Sequence, residues 1–112
     1  MTYQEIASMV ASVDLPYAYD HFNVDEDNPP PVPPFICFRY NNVSFFADNT
    51  NYVNKAHIFV ELYTDNKDYT NTAALEAAFS NAGLTYISSE EFNADEELYV
   101  TTYEMEAIII NG

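Results

Sequence analysis

Tryptophan is absent, glycine occurs twice, cysteine once, and only three residues are Lys or Arg. Each shortage excludes something. With Gly83 and Gly112 as the two glycines, no glycine-rich loop that cradles phosphate can be built. The single cysteine, Cys37, excludes an intramolecular disulfide, and its apolar setting of Phe35, Ile36 and Phe38 makes it a core residue by expectation. The cations Arg39, Lys55 and Lys67 stand against eighteen acids, for a net charge of −15. Such a chain is repelled by nucleic-acid phosphates and by anionic membranes, which argues against direct DNA binding and against a membrane partner. The longest apolar run, Ala107 to Ile110, is far too short to span a bilayer. No charged segment followed by an apolar stretch opens the chain, so a soluble protein made in the cytoplasm without a signal peptide is expected.

Constellations that carry chemistry are equally scarce. Zinc needs three or four converging ligands, whereas His21, His57 and Cys37 fall on separate segments. An EF-hand needs acids at alternating positions, a central glycine and a closing glutamate. Asp25-Glu26-Asp27 runs into proline with no glycine after it, and Asp48-Asn49-Thr50-Asn51 and Asp95-Glu96-Glu97 lack the glycine too. These read as solvated acidic turns. Glu90 with Glu91, and Glu104 with Glu106, are carboxylate pairs of the kind glycosidases use. In a chain this acidic such pairs arise by chance. The serines lack a nucleophile-elbow setting. The residues therefore point to a protein that is not an enzyme, with no catalytic, cofactor or metal site.

What is present is aromatic weight: ten Tyr and eight Phe in 112 residues, with 48% hydrophobic residues. That length suits one domain, residues 1–112, with a single core. Thr2 and Glu5 have capping-box form, and Ile6, Met9, Val10 and Val13 recur at helical spacing. A first helix is expected near residues 3–12, ended by Pro16. Pro16 to Phe22 reads as a short extended piece. Residues 23–34 hold Asp25-Glu26-Asp27 and five of the six prolines, and form a stiff, acidic, proline-rich loop.

Phe35 to Tyr40 reads as a strand, Asn41-Asn42 as a turn, and Val43 to Ala47 as a hairpin arm pairing back. Tyr52 to Tyr63 is the best strand. Ala56, Ile58, Val60 and Leu62 alternate with His57, Phe59, Glu61 and Tyr63, so one face is aliphatic and the other amphipathic. A loop at 64–71 leads to a second helix near 72–82, stopped by Gly83 and burying Leu75, Ala78, Phe79 and Ala82. A short strand over 84–88, an acidic turn over 90–97 and a long strand over 98–110 complete the chain. The fold class implied is α+β: a mostly antiparallel mixed sheet with two helices packed on one face.

Two segments carry a resemblance. Phe45-Phe46-Ala47-Asp48-Asn49-Thr50-Asn51-Tyr52, then Glu61-Leu62-Tyr63-Thr64-Asp65-Asn66-Lys67-Asp68, resemble small proteins of tailed bacteriophages and prophages of Gram-positive hosts. The similarity continues, in order, through Ala18-Tyr19-Asp20-His21-Phe22, Pro33-Pro34-Phe35-Ile36, Ala82-Gly83-Leu84-Thr85-Tyr86 and Tyr103-Glu104-Met105-Glu106. Those proteins look like tail-completion or tail-terminator proteins of long non-contractile tails. The resemblance implies a structural virion protein of the neck. It would close the head-proximal end of the tail tube and join it to the head-tail connector as a ring, a hexamer by analogy.

Its implied partners are other neck and tail-tube proteins and copies of itself. Its implied location is the host cytoplasm during assembly, then the virion. An acidic lining would keep passing DNA from sticking. The candidate contact elements are the proline loop, the Asp48–Tyr52 turn, the Thr64–Thr70 loop and the aromatic strand face. The alternative reading from charge alone is an acidic DNA-mimic inhibitor, although the acids cluster in turns rather than at regular intervals.

Overall fold

The computed structural model describes residues 1–47 and 51–109, and describes 43–47 and 51–54 by their backbone. Its elements are α1 (Tyr3–Ala11), β1 (Tyr17–Tyr19), β2 (Phe35–Ala47), β3 (Asn51–Thr64), α2 (Tyr69–Asn81), β4 (Tyr86–Asn93) and β5 (Leu98–Ile109). Helix α1 opens on the expected capping box. Glu5 N–H donates to Thr2 Oγ1 at 3.1 Å, and Thr2 N–H donates to Glu5 Oε1 at 3.0 Å. Both bonds satisfy donors that a helix start leaves free. Helix α2 begins earlier than the periodicity predicts, because Asp68 caps it by accepting from Asn71 N–H at 2.9 Å. It ends on a Schellman motif: Gly83 (φ 75°) donates to the Ser80 carbonyl at 3.0 Å and Leu84 to the Phe79 carbonyl at 2.9 Å.

The five strands lie in the order β1-β2-β3-β5-β4. Only β1 runs parallel to its neighbour, pairing Tyr17–Tyr19 with Ile36–Phe38. The fold class is α+β, as the alternation of the strands predicts. Ile36 and Phe38, then Ala56 to Leu62 at even positions, then Tyr103 to Ile109 at odd positions, share the face that the helices cover. Ile6, Met9 and Val10 of α1 and Leu75 and Phe79 of α2 close the core over them. Of the residues expected to be buried on α2, Ala78 is half-buried and Ala82 exposed.

Two local expectations are corrected. Asn41 and Asn42 do not turn; they lie inside β2, opposite His57 and Ala56. A thirteen-residue ladder against β3 outweighs the local turn preference of asparagine. The fourth strand does not stop at residue 88. It runs from Tyr86 to Asn93, so Glu90 and Glu91 are strand residues paired with Thr101 and Val100. The turn begins only after it, where Asn93 Oδ1 accepts from the N–H groups of Asp95 (3.1 Å) and Glu96 (3.2 Å). The expected turn at 48–51 lies mostly outside the described residues, and Asn51 opens β3.

Cys37 is 6% exposed, as expected, and its register opposite Glu61 places it on the sheet face away from the helices. Burial, followed by the Glu61 and Asp20 carboxylates, pushes its thiol up to about 11. Only the thiolate reacts with maleimides and disulfide reagents, so native Cys37 is expected to label about a hundredfold more slowly than in denaturant at the same pH. Equal rates in the two states would show that β2 leaves it open to solvent.

The sheet is long rather than compact. Its principal extents are 50 × 31 × 24 Å, with a radius of gyration of 15.5 Å. A compact chain of this length has about 13 Å. The elongation follows from the β2–β3 ladder, which reaches Ala47↔Asn51, whereas β5 pairs β3 only from Asn54 to Thr64.

Candidate interaction surface

Two layers of helix and sheet leave one broad face without a cover. It carries Arg39, Lys55, His57, Phe59, Glu61 and Tyr63 from the centre of the sheet, and Val100, Thr102, Glu104 and Glu106 from β5. The amphipathic alternation of β3 is what builds it, and its residues are half-buried apart from Glu106, which is exposed. Arg39, which the sequence reading passed over, organises the centre. Its guanidinium lies 4.4 Å over the Phe59 ring and reaches Glu61 Oε1 at 3.1 Å. His57 stacks on Phe59 at 4.7 Å. Lys55 Nζ meets Glu106 Oε2 at 2.7 Å and, by that bond, lowers the Glu106 pKa.

The proline loop joins this face at one end. Phe22 sits edge-on to Phe35 at 5.5 Å, and Phe35 stacks on Tyr63 at 4.8 Å. Burial, then the neighbouring Glu61 charge, pushes the Tyr63 hydroxyl up to about 12. Within the loop, one Asp25 carboxylate oxygen accepts from Asp27 N–H (2.9 Å), Asn28 N–H (2.8 Å) and the Asn28 side chain (3.1 Å). The acids there hold the loop's own backbone in place. Val32, at 80% exposed, is its most open apolar residue.

The other expected contact elements fare differently. In the Thr64–Thr70 segment, Thr64 is buried and ends β3, while Tyr69 and Thr70 already belong to α2; Tyr69 is 77% exposed. Asp48, Asn49 and Thr50 lie outside the described residues. Glu90 and Glu91 are consecutive strand residues and point to opposite faces, Glu90 toward Lys67 at 3.4 Å. Glu104 and Glu106 share a face, where Glu106 is held by Lys55. His21 is an exposed loop residue bonded through Nδ1 to Asp20 at 2.9 Å. Among the described residues, no group of three His, Cys, Asp or Glu side chains gathers where it could hold a metal ion.

The sheet edges also matter. β4 forms one edge, with Ile87 69% and Phe92 54% exposed. The sequence reading missed this edge because Glu90-Glu91 resembles a turn. At the other side, β1 covers only Ile36–Phe38 of β2, and the Tyr19 hydroxyl reaches the Tyr40 carbonyl at 3.3 Å just beyond. From Asn41 to Ala47, no described strand pairs with β2 on that side.

No protein-family model matches this chain, and no curated protein sequence does. Among solved structures, it is similar to a chain from the virion of a native gene transfer agent particle. The two agree with a TM-score of 0.61 over 96% of this chain and 90% of that chain, at 15% identity. At that identity the likeness shows a shared fold.

Proposed function

We propose that this chain is a structural protein of a phage-type virion. More finely, it closes the head-proximal end of a tail tube as a ring, hexameric by analogy, and joins the tube to the head-tail connector. The observation that carries the reading is the shared fold with a virion chain over nearly the whole of both molecules. The resemblance of the segments quoted above to tail-completion proteins agrees with it, and so does the form of the molecule. A uniform sheet with one uncovered polar-aromatic face and two incompletely paired edges offers broad contact surface. The charge of −15 suits a conduit wall that DNA must pass without adhering.

The decisive experiment is removal of this coding sequence from the element that carries it. Filled heads and separate tails, rejoined when the protein is supplied in trans, are the expected products. Normally joined particles would refute the neck role. Intact particles, together with a basic protein captured at low salt and released at high salt, would select the DNA-mimic reading instead.

A further expectation concerns salt. Long-range repulsion between copies is screened within about 10 Å at 0.1 M salt. Self-association of the purified protein should therefore strengthen from low to high ionic strength in sedimentation runs. Oligomers that form at low salt and dissolve as salt rises would mean that attraction between unlike charges outweighs the net repulsion between two chains of charge −15.

A further inference from the structure

Charge is distributed unevenly along this chain. Between Asp27 and Glu61 the charged residues are Arg39, Asp48 and Lys55. From Tyr86 to Glu106 every charged residue is acidic: Glu90, Glu91, Asp95, Glu96, Glu97, Glu104 and Glu106. The topology sends these stretches to opposite sides of the sheet. The nearly neutral stretch contains β2 and most of β3; the acidic stretch is β4, its turn and most of β5. Arg39 and Lys55 keep part of their surface in water even while paired, at 42% and 40% side-chain exposure. Each can accept a second carboxylate, since a guanidinium has five donors and an ammonium three.

The two edges are also protected differently. Natural sheets guard an edge with charge, proline or a bulge. β4 carries Glu90 and Glu91. Along β2, Asn41-Asn42-Val43-Ser44-Phe45-Phe46-Ala47 has no charge, no proline and no glycine, and Val43, Phe45 and Phe46 are strand formers. Alternation from Ile36, whose N–H donates to the Pro16 carbonyl, turns the backbone groups of Asn42, Ser44 and Phe46 to the side away from β3. An unguarded strand of this length is a template for another strand.

We propose that the strand it receives is β4 of a second copy of this chain, so that copies join head to tail through β2 and β4. The inference rests on the ring reading above and names its contact. Two β4 edges meeting each other would set Glu90 and Glu91 against their own copies, which like-charge pairing across strands disfavours. The β2 edge is the one place where β4 meets backbone donors, little negative charge and the nearby Arg39 and Lys55. A contact between two different edges is heterologous, and it closes a ring when its rotation divides a full turn.

The test uses the full-length chain with Cys37→Ala as background. Ser44→Cys, Ser88→Cys and, as control, Asn81→Cys on exposed α2 are made singly, mixed in pairs at high protein concentration, and treated with a short bis-maleimide. The Ser44→Cys and Ser88→Cys mixture should form covalent dimers about tenfold faster than either variant alone or either with the control, because bound edges raise the effective thiol concentration. A variant carrying both changes should give a ladder of multimers. Rates no higher than the control pairs, or Ser88→Cys dimers forming fastest, would overturn the contact. Wild-type oligomers seen in sedimentation alongside such a result would leave the ring standing on other surfaces. Joined particles after deletion of the coding sequence would remove the neck role whatever the cross-links show.

Discussion

Replacing Phe79 by alanine is expected to destabilise the protein by about 3–5 kcal/mol. Phe79 is fully buried and lies edge-on to Tyr103 at 5.1 Å and to Tyr86 at 5.5 Å. Such aromatic pairs add about 0.5–1.5 kcal/mol beyond area burial. The local reason for so large an effect is that α2 has few anchors. Its sequence, Tyr-Thr-Asn-Thr-Ala-Ala-Leu-Glu-Ala-Ala-Phe-Ser-Asn, places only Leu75 and Phe79 in the buried core, one helical turn apart. Alanines elsewhere on the helix favour helix formation but fill little space. A domain of this size has about 5–15 kcal/mol in all, so this one change should consume a large share. Urea unfolding would read it as a lower midpoint. Ala77→Ser, at an exposed position of the same helix, should shift stability by no more than about 0.5 kcal/mol. A Phe79→Ala loss below about 1 kcal/mol would show that α2 is not docked on the sheet as described.

Raising the pH is expected to be the second strong perturbation, with stability falling from about pH 9 upward and largely lost by about pH 12. Cys37 is pushed up to about 11 and Tyr63 up to about 12, in both cases chiefly by burial. Tyr103 is raised further, by complete burial first and then by donating to Glu76 Oε2 at 2.9 Å. Tyr86, which donates to the other Glu76 oxygen at 3.1 Å, and Tyr40 are raised as well.

The sign is common to all of them. A folded pKa above the unfolded one means that folding favours the neutral, protonated form. That contribution is complete below the unfolded pKa and is lost as pH climbs through the folded one. Cys37, Tyr63 and Tyr103, the buried groups, each contribute at most about 1.4 kcal/mol per pH unit within their windows. The last part of the rise in tyrosinate absorbance, from the buried tyrosines, should therefore coincide with the change in circular dichroism. Glu76→Gln, which keeps an acceptor but removes the carboxylate charge, should move the buried tyrosine transition to lower pH. Full tyrosinate absorbance near pH 11 with an unchanged dichroism spectrum would contradict the burial of Tyr103.

The candidate surface was partly legible from residues alone. The strict alternation from Ala56 to Tyr63 identifies an aliphatic face and an amphipathic one, and the structure covers the first with helices and leaves the second open. Such alternation is readable because side-chain direction in a strand has a period of two. Arg39 was not legible as the organiser of that face. Its partners Phe59 and Glu61 are far away in sequence and reach it only through the β2–β3 register.

What the sequence determined by itself was local. Thr2 and Glu5 fix the start of α1, and Gly83 fixes the end of α2, because capping and positive φ are properties of a few consecutive residues. The acidity of the whole chain, and with it the expected repulsion from nucleic-acid phosphates, needs no structure at all. Pairing was decided only in three dimensions. Asn41-Asn42 and Glu90-Glu91 have turn-like composition, yet each is held extended by a ladder to a strand elsewhere in the chain. The parallel seat of β1, the side of the sheet on which Cys37 is buried, and the separation of a neutral edge from an acidic one arise in the same way. Each depends on which strands become neighbours, and that choice is made by burying one continuous core rather than by the preferences of any single segment.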